Sequence, residues 1–255
     1  MGTDRPNGSL YTSIQNQIAT IEFGHPASNS FSSELLQRLT DEFQMLSSNT
    51  EVSLIILKSE GERAFCAGAS FDELVAITTL KEGKAFFSGF ANVINAMRVC
   101  TKPIIGRIQG KVVGGGVGLA SACDYVYASI DASIKLSEIS IGIAPLVIAP
   151  AVERKIGKDG LAELALTPSE WKNAYWAKEK GLFAKVFDSI KELDKELDIL
   201  SSKLASYNPE GLSAMKKALW EGTAHWSSLL IERAEQSGRL ALSEATKEAL
   251  SKFKK

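Results

Sequence analysis

Histidine is almost missing from this chain: His25 and His225 are the two it has. A His-dependent triad and histidine-rich metal sites are therefore not expected, and no G-x-S-x-G nucleophile elbow is present. His25 stands in Gly24-His25-Pro26 and reads as a loop residue, while His225, beside Trp226, reads as packing or surface. Cysteine is also sparse. Cys66, Cys100 and Cys123 lie far apart and match no metal-ligand spacing, so no metal site is expected. Their odd number fits a reducing compartment. An excess of one charge is lacking too: 29 Lys+Arg stand against 30 Asp+Glu, net −1. That leaves no bulk basic surface for nucleic acid, and an anionic ligand must be held by local charges. No run of eighteen apolar residues exists, so no membrane span is expected. Met1-Gly2-Thr3-Asp4-Arg5-Pro6 is polar, without an apolar signal region, and Pro6 breaks the myristoylation pattern. These exclusions give the expectation of a cytoplasmic protein.

What is present begins with an ordinary globular composition. The 255 residues are 45% hydrophobic and 23% charged, enough for one sizeable core, or a core plus an appendage. The most informative stretch is Gly114-Gly115-Gly116-Val117-Gly118-Leu119-Ala120, which follows the apolar run 104–108. Consecutive glycines remove every Cβ, so main-chain N–H groups can approach a ligand. If a helix starts there, its first N–H groups are unpaired and its dipole is positive at that end. Such a place suits an oxygen that becomes negative during a reaction. A flexible loop or a tight strand-to-helix turn is the other reading of the same glycines. Two nucleotide fingerprints fail on spacing. Leu119 stands where G-x-G-x-x-G needs its last glycine. Gly110 and Gly115 are spaced for a phosphate loop, but Gly116 and Val117 follow where Lys and Ser/Thr are required. A carbonyl is the more fitting target.

Along the chain, residues 10–23 alternate loosely and read as a hairpin. Ser32 or Ser33 offers a helix cap, with Leu35, Leu36, Leu39, Phe43 and Leu46 following at helical spacing. Residues 52–57 read as a strand, and a helical region is expected from about Phe71 to Val99. Lys102-Pro103 restarts the chain as a strand over 104–109, which feeds the glycine segment and its helix. Residues 124–128 and 134–136 read as further strands. This repeated strand–turn–helix order predicts an α/β protein with crossover connections. From about Ser189 the pattern becomes helical, with a stripe of Leu193, Leu197, Leu200, Leu204 and Tyr207 broken by Asn208-Pro209. That tail either covers its own core or docks on a neighbouring subunit. No sequence repeat of fixed period is evident.

Two segments taken together are far more specific than either alone: Ala64-Phe65-Cys66-Ala67-Gly68-Ala69-Ser70-Phe71, and the run from Lys102-Pro103 through Gly114-Gly115-Gly116. With Ala122-Cys123-Asp124-Tyr125 and Leu136-Ser137-Glu138-Ile139-Ser140-Ile141-Gly142-Ile143 behind them, they closely resemble the crotonase (enoyl-CoA hydratase/isomerase) superfamily. The resemblance runs from about residue 10 onward. It implies a spiral of β-β-α units over residues 1–188 and a C-terminal helical trimerisation region over 189–255, in a homotrimer or a hexamer of two trimers. It implies an acyl-CoA thioester as substrate, coenzyme A being part of that substrate and no separate cofactor being needed. The thioester oxygen is expected between the backbone N–H groups of Ala69 and Gly115, with Gly114 and Gly116 flanking. Ala67 and Gly68 are candidates to meet the adenine. Arg63, or a Lys near 216–217 from a neighbouring subunit, is a candidate for the CoA phosphates.

The chain departs from the family pattern at one point. Hydratases of the family usually carry two glutamates at the reacting carbons; the matching positions here are Gly118 and Glu138. Hydration has two proton tasks, deprotonating a water and delivering a proton to the α-carbon. Double-bond migration needs only one base, and the same single-glutamate pattern is seen in the family's Δ3-Δ2-enoyl-CoA isomerases. Leu146-Val147-Ile148-Ala149-Pro150 after Pro145 are apolar, and are expected to exclude water and raise the pKa of Glu138 by desolvation. Asp72 and Glu73 read as a solvated helix start, and Asp124 as a structural hydrogen-bond acceptor at a strand start. The reading is an enoyl-CoA isomerase with Glu138 as base. The alternatives are a hydratase of a branched or unusual enoyl-CoA, a decarboxylase of a branched glutaconyl-CoA, or a non-catalytic member that binds acyl-CoA or a protein partner.

Overall fold

A computed structural model describes residues 7–252; the polar N-terminal stretch 1–6 lies outside them. The chain opens with strands β1 (Ser9–Gln15) and β2 (Ile18–Gly24), joined by Asn16 and Gln17, both at positive φ, as an antiparallel hairpin in which Ser9 faces Gly24 and Gln15 faces Ile18. Helix α1 (Ser33–Ser48) follows, its N-terminus held by the Ser32 side chain accepting from Leu35 N. Its face of Leu35, Leu36, Leu39, Phe43 and Leu46 is fully buried, as the helical spacing predicts.

Three consecutive units of strand, strand and helix come next. The first is β3 (Leu54–Ser59), β4 (Ala64–Cys66) and helices α2 (Phe71–Val75) and α3 (Leu80–Val99). The second is β5 (Ile104–Ile108), β6 (Lys111–Val113) and α4 (Gly115–Ala122). The third is β7 (Tyr125–Ser129), β8 (Ser133–Lys135), a 3-10 turn at Glu138–Ile141 and α5 (Ala149–Leu166). Strand β9 (Lys172–Asn173), α6 (Ala174–Glu179) and β10 (Lys185–Phe187) complete the core.

In each unit the first strand joins a large sheet and the second a small one. The large sheet has the order β1-β2-β3-β5-β7-β10, parallel from β2 onward, and the small one the order β4-β6-β8-β9, with β9 alone antiparallel. This is the spiral that the resemblance implies. The geometry repeats although the sequence does not. The expected helix from Phe71 to Val99 is two helices, because Thr79 and Glu82 form a capping box that starts α3 afresh.

The main core fills the space between the sheets and α1, α3, α4 and α5. Helix α4 is apolar all round and entirely buried after its first residue, so no amphipathic stripe marks it in the sequence. The outer face of the large sheet would lie bare without α7 (Ile190–Ala205). Its Leu193 and Leu197 bury against Leu54, Ile56, Ile105, Tyr127 and Phe187, with Leu200 and Leu204 at the margin. Tyr207, read as part of this stripe, lies beyond the helix and is about half exposed. Helices α8 (Pro209–Leu219), α9 (Trp226–Ala241) and α10 (Glu244–Ser251) follow. Helix α9 crosses α3 where two glycines meet: a Cβ on Gly238 would lie 2.8 Å from Gly83 backbone. Among the described residues, no helix is long and apolar enough to cross a membrane, and no His/Cys/Asp/Glu group could hold a metal ion.

Asp124 ties these layers together. Its Oδ2 accepts from Ile104 N at 2.7 Å and from Lys216 Nζ at 2.8 Å, and its Oδ1 accepts from Trp220 Nε1 at 2.6 Å. The Lys216 side chain is 2% exposed, so it belongs to this chain's own core and is not a phosphate ligand for a neighbour, contrary to the expectation above. Lys217 beside it is exposed. Asp124→Ala would strand the buried Lys216 charge, and is expected to lower the unfolding free energy by about 3–5 kcal/mol. Urea denaturation measures this, and a loss below about 1 kcal/mol would show the pair to be dispensable.

Candidate active site

The three short strands β4, β6 and β8 lie side by side and parallel, so their C-terminal ends form a row. Ligand sites in parallel sheets form at such ends. From this row emerge Ala67–Ala69, Gly114–Gly115 and Ser137–Glu138. These residues line one cavity of about 190 Å³, whose walls also include Phe86, Phe87 and Phe90 of α3 and the loop 143–148.

Each strand end is pinned. Gly114 N donates to Lys135 O at 3.0 Å, joining the end of β6 to that of β8. Phe31 N donates to Gly68 O at 2.8 Å and Ser70 N to Phe31 O at 2.7 Å, so the amide of Ala69 is clamped from both sides. Gly68 has φ +95° and passes close to β6; a Cβ there would lie 3.2 Å from Val113 O and 3.7 Å from Gly115 N. Gly114 adopts φ 54° and ψ −122°, a backbone region open only to glycine. It turns the chain from β6 into α4. Among the described residues neither Ala69 N–H nor Gly115 N–H has a hydrogen-bond acceptor. Gly115 is the first residue of α4, so its N–H is one of the helix's unpaired donors at the positive end of the dipole.

Glu138 opens the 3-10 turn after β8. Its carboxylate lies against Gly114, where a Cβ would come within 2.9 Å of Oε1. Oε2 is sealed from solvent and has no hydrogen-bond partner. Burial pushes its pKa up to about 7, only partly opposed by its own backbone N–H. Of the apolar residues 146–150 expected to exclude water, Leu146, Val147 and Ile148 of the loop line the cavity with Glu138, as Ile143 does, while Ala149 and Pro150 are not among its lining residues. The C-terminal helices hold that loop. Arg233 Nη1 of α9 donates to Leu146 O at 3.2 Å, and Thr246 Oγ1 of α10 donates to Gly142 O at 2.8 Å.

Gly118, the position matched above to the second acid, packs against Ile148, which lines the cavity. A Cβ on Gly118 would overlap the Ile148 side chain, with Ile94 also close. The other acids are elsewhere: Asp72 is exposed at the start of α2, and Glu73 accepts from Ser33 N and Oγ. Burial pushes the Cys66 thiol up to about 12, which keeps it protonated at neutral pH.

Two sequence candidates do not reach the cavity wall. Gly116 packs inward, where the absence of a Cβ lets α4 approach β4; a Cβ would lie 2.7 Å from that of Cys66. Arg63 lies at the exposed start of β4 and lines a separate surface depression with His25, Glu62 and Lys111. Conversely, Phe86, Phe90 and Ser237 line the cavity without having been singled out in the sequence. Their helices are far from the glycine motif along the chain, and nothing local marks them.

Comparison with known proteins agrees with this architecture. Residues 13–253 match the family model described as enoyl-CoA hydratase/isomerase. The chain is 31% identical over 186 residues to the peroxisomal Delta(3,5)-Delta(2,4)-dienoyl-CoA isomerase of Arabidopsis thaliana, covering 68% of this chain and 66% of that protein. It is 30% identical over 215 residues to the 2,3-dehydroadipyl-CoA hydratase of Escherichia coli (strain K12), covering 82% and 81%. The crystal structure of an enoyl-CoA hydratase from Bacillus halodurans superposes with a TM-score of 0.88 at 21% identity, over 95% of this chain and 99% of that one. The chain belongs to the enoyl-CoA hydratase/isomerase family, and its fold is the crotonase fold.

Two stability tests follow from the site. Glu138 binds its proton more tightly folded than unfolded, so its burial costs nothing below about pH 4.5 and costs more as pH rises toward 7. Glu138→Gln is therefore expected to raise the melting temperature at pH 8, by up to about 3 kcal/mol of stability, and to be nearly neutral at pH 4. Equal melting curves at both pH values would contradict the buried, uncompensated carboxylate. Gly118→Ala is expected to destabilise by about 1–3 kcal/mol through the clash with Ile148, and Ile148→Ala in the same chain to recover part of that loss in thermal melts.

Proposed function

We propose that this protein isomerises an enoyl-CoA by moving its double bond, with Glu138 as the single proton carrier. The observation that carries this reading is the space at Gly118: Ile148 occupies the place of a second acid, leaving one titratable group on the cavity wall. The family supports the substrate class, an acyl-CoA thioester; in the proposed reaction coenzyme A is part of that substrate.

The chemistry follows from the geometry. The thioester oxygen accepts hydrogen bonds from the N–H groups of Ala69 and Gly115. Glu138 removes a proton from the α-carbon of a 3-enoyl-CoA. The C–H electron pair becomes a C1=C2 bond while the carbonyl π pair moves onto the thioester oxygen, giving a dienolate whose C3=C4 bond is still in place. Each preorganised amide aimed at that oxygen contributes about 3–4 kcal/mol, because the charge develops where water is excluded. The oxygen then re-forms the carbonyl, the C1=C2 pair shifts to C2=C3, and the C3=C4 pair takes the proton back from Glu138 at the γ-carbon. A carboxyl group with a pKa of about 7 suits both directions, since it neither holds nor yields its proton too firmly. Ala67 and Gly68 are proposed to meet the CoA adenine, and Arg63, with Lys111 beside it, the phosphates.

The relatives include hydratases, and one assay separates the two activities. Purified protein mixed with a 3-enoyl-CoA is expected to yield the 2-enoyl isomer without 3-hydroxyacyl-CoA. Its kcat/KM is expected to rise with pH through about 7 as Glu138 ionises. Glu138→Gln is expected to lower kcat by about 10²–10⁴-fold, the usual worth of a positioned general base. Efficient hydration of a 2-enoyl-CoA, or activity surviving Glu138→Gln, would overturn the proposal.

A further inference from the structure

The cavity holds a second polar atom without a partner. Ser237 of α9 is 1% exposed, and its hydroxyl makes no hydrogen bond. Serines in helices commonly satisfy themselves against the preceding turn. Ser201 and Ser251 do so here, donating to Asp198 O and Glu248 O, but Ser237 does not. Ser237 lines the same cavity as Glu138. Arg233, four residues earlier and so on the same helix face, holds the cavity loop through Leu146 O. The neighbouring Gly238 packs against Gly83 of α3, which fixes α9 closely against the helix that carries Phe86, Phe87 and Phe90. A buried hydroxyl left unmatched in an apolar wall is costly, and a native fold keeps one where something completes it.

We propose that Ser237 is a specificity-determining residue whose hydroxyl bonds a neutral oxygen, a hydroxyl or a ketone, carried on the acyl chain of the substrate. The inference rests on the enoyl-CoA reading of this cavity and narrows it. Serine both donates and accepts, so it matches either oxygen type. The rest of the wall selects against a charged chain. Ser137, Glu138 and Ser237 are its polar side chains, and no lysine, arginine or histidine lines it to pair with a carboxylate. The aromatic and aliphatic residues on the remaining surface suit an apolar chain interrupted by that single oxygen.

The test uses saturated acyl-CoAs, which bind without reacting. A series with a hydroxyl or keto group moved stepwise along the chain is compared with plain chains of equal length, by calorimetry. The intact protein is expected to bind one oxygenated position on the order of tenfold more tightly than the plain chain, one hydrogen bond's worth. Ser237→Ala is expected to abolish that preference, read as the ratio of oxygenated to plain chain within each protein, while melting no lower. If the intact protein prefers no oxygenated position, or if Ser237→Ala keeps the preference, the assignment is overturned. If the preference is found but no 3-enoyl-CoA is isomerised, the Ser237 contact stands and the isomerase reading alone falls.

Discussion

The site depends on one backbone conformation. Gly114, at φ 54° and ψ −122°, turns strand β6 into helix α4 within a single residue. That turn makes Gly115, a residue of the cavity wall, the first of α4, and lays bare backbone against the Glu138 carboxylate. Any side chain at this position would meet both obstacles at once, a forbidden φ/ψ and the carboxylate oxygen 2.9 Å away. The adjoining strands repeat the arrangement less tightly. Because β4, β6 and β8 are parallel neighbours, whatever follows each one arrives at the same edge, and three segments distant in sequence come to share one cavity.

The electrostatics follow from how that edge is covered. The loop 142–148 brings apolar side chains over a carboxylate that would otherwise be solvated. It is held by Arg233 and Thr246, which belong to the last two helices. The carboxyl-terminal region thus fixes the loop that closes over the Glu138 side of the cavity. Folding tolerates the cost of a buried ionisable group and of an unpartnered serine in the same space. Features of that kind gather where ligands bind.

Much of this was legible in the sequence, and the reasons differ by element. The face of α1 was readable because it is amphipathic, whereas the glycine run alone fitted a packing turn as well as a ligand cradle, and gained its meaning from the second segment at 64–71. Glu138 and Gly118 were legible only through resemblance, since a lone glutamate and a lone glycine carry no spacing signal. Helix α4 was legible by its glycines but not by its periodicity, being buried on all sides. Lys216 looked like a surface cation and is a core residue, because its partner Asp124 is brought to it only by the fold. Arg63 and Gly116 stand in the right motifs but sit away from the cavity wall, one at the far end of its strand and one turned into the helix–strand contact. Ser237 and the phenylalanines of α3 were silent, as their role arises where α9 crosses α3.

The central claim is that one sealed carboxyl group carries a proton between two carbons of the same substrate. A 3-enoyl-CoA carrying two deuterium atoms at C2, turned over in ordinary water, tests it most directly. The account expects product 2-enoyl-CoA with a substantial share of deuterium delivered to C4, because the proton taken by Glu138 is shielded from exchange before it is returned. Product with deuterium absent from C4 at the earliest turnovers, or deuterium lost together with addition of water at C3, would contradict it.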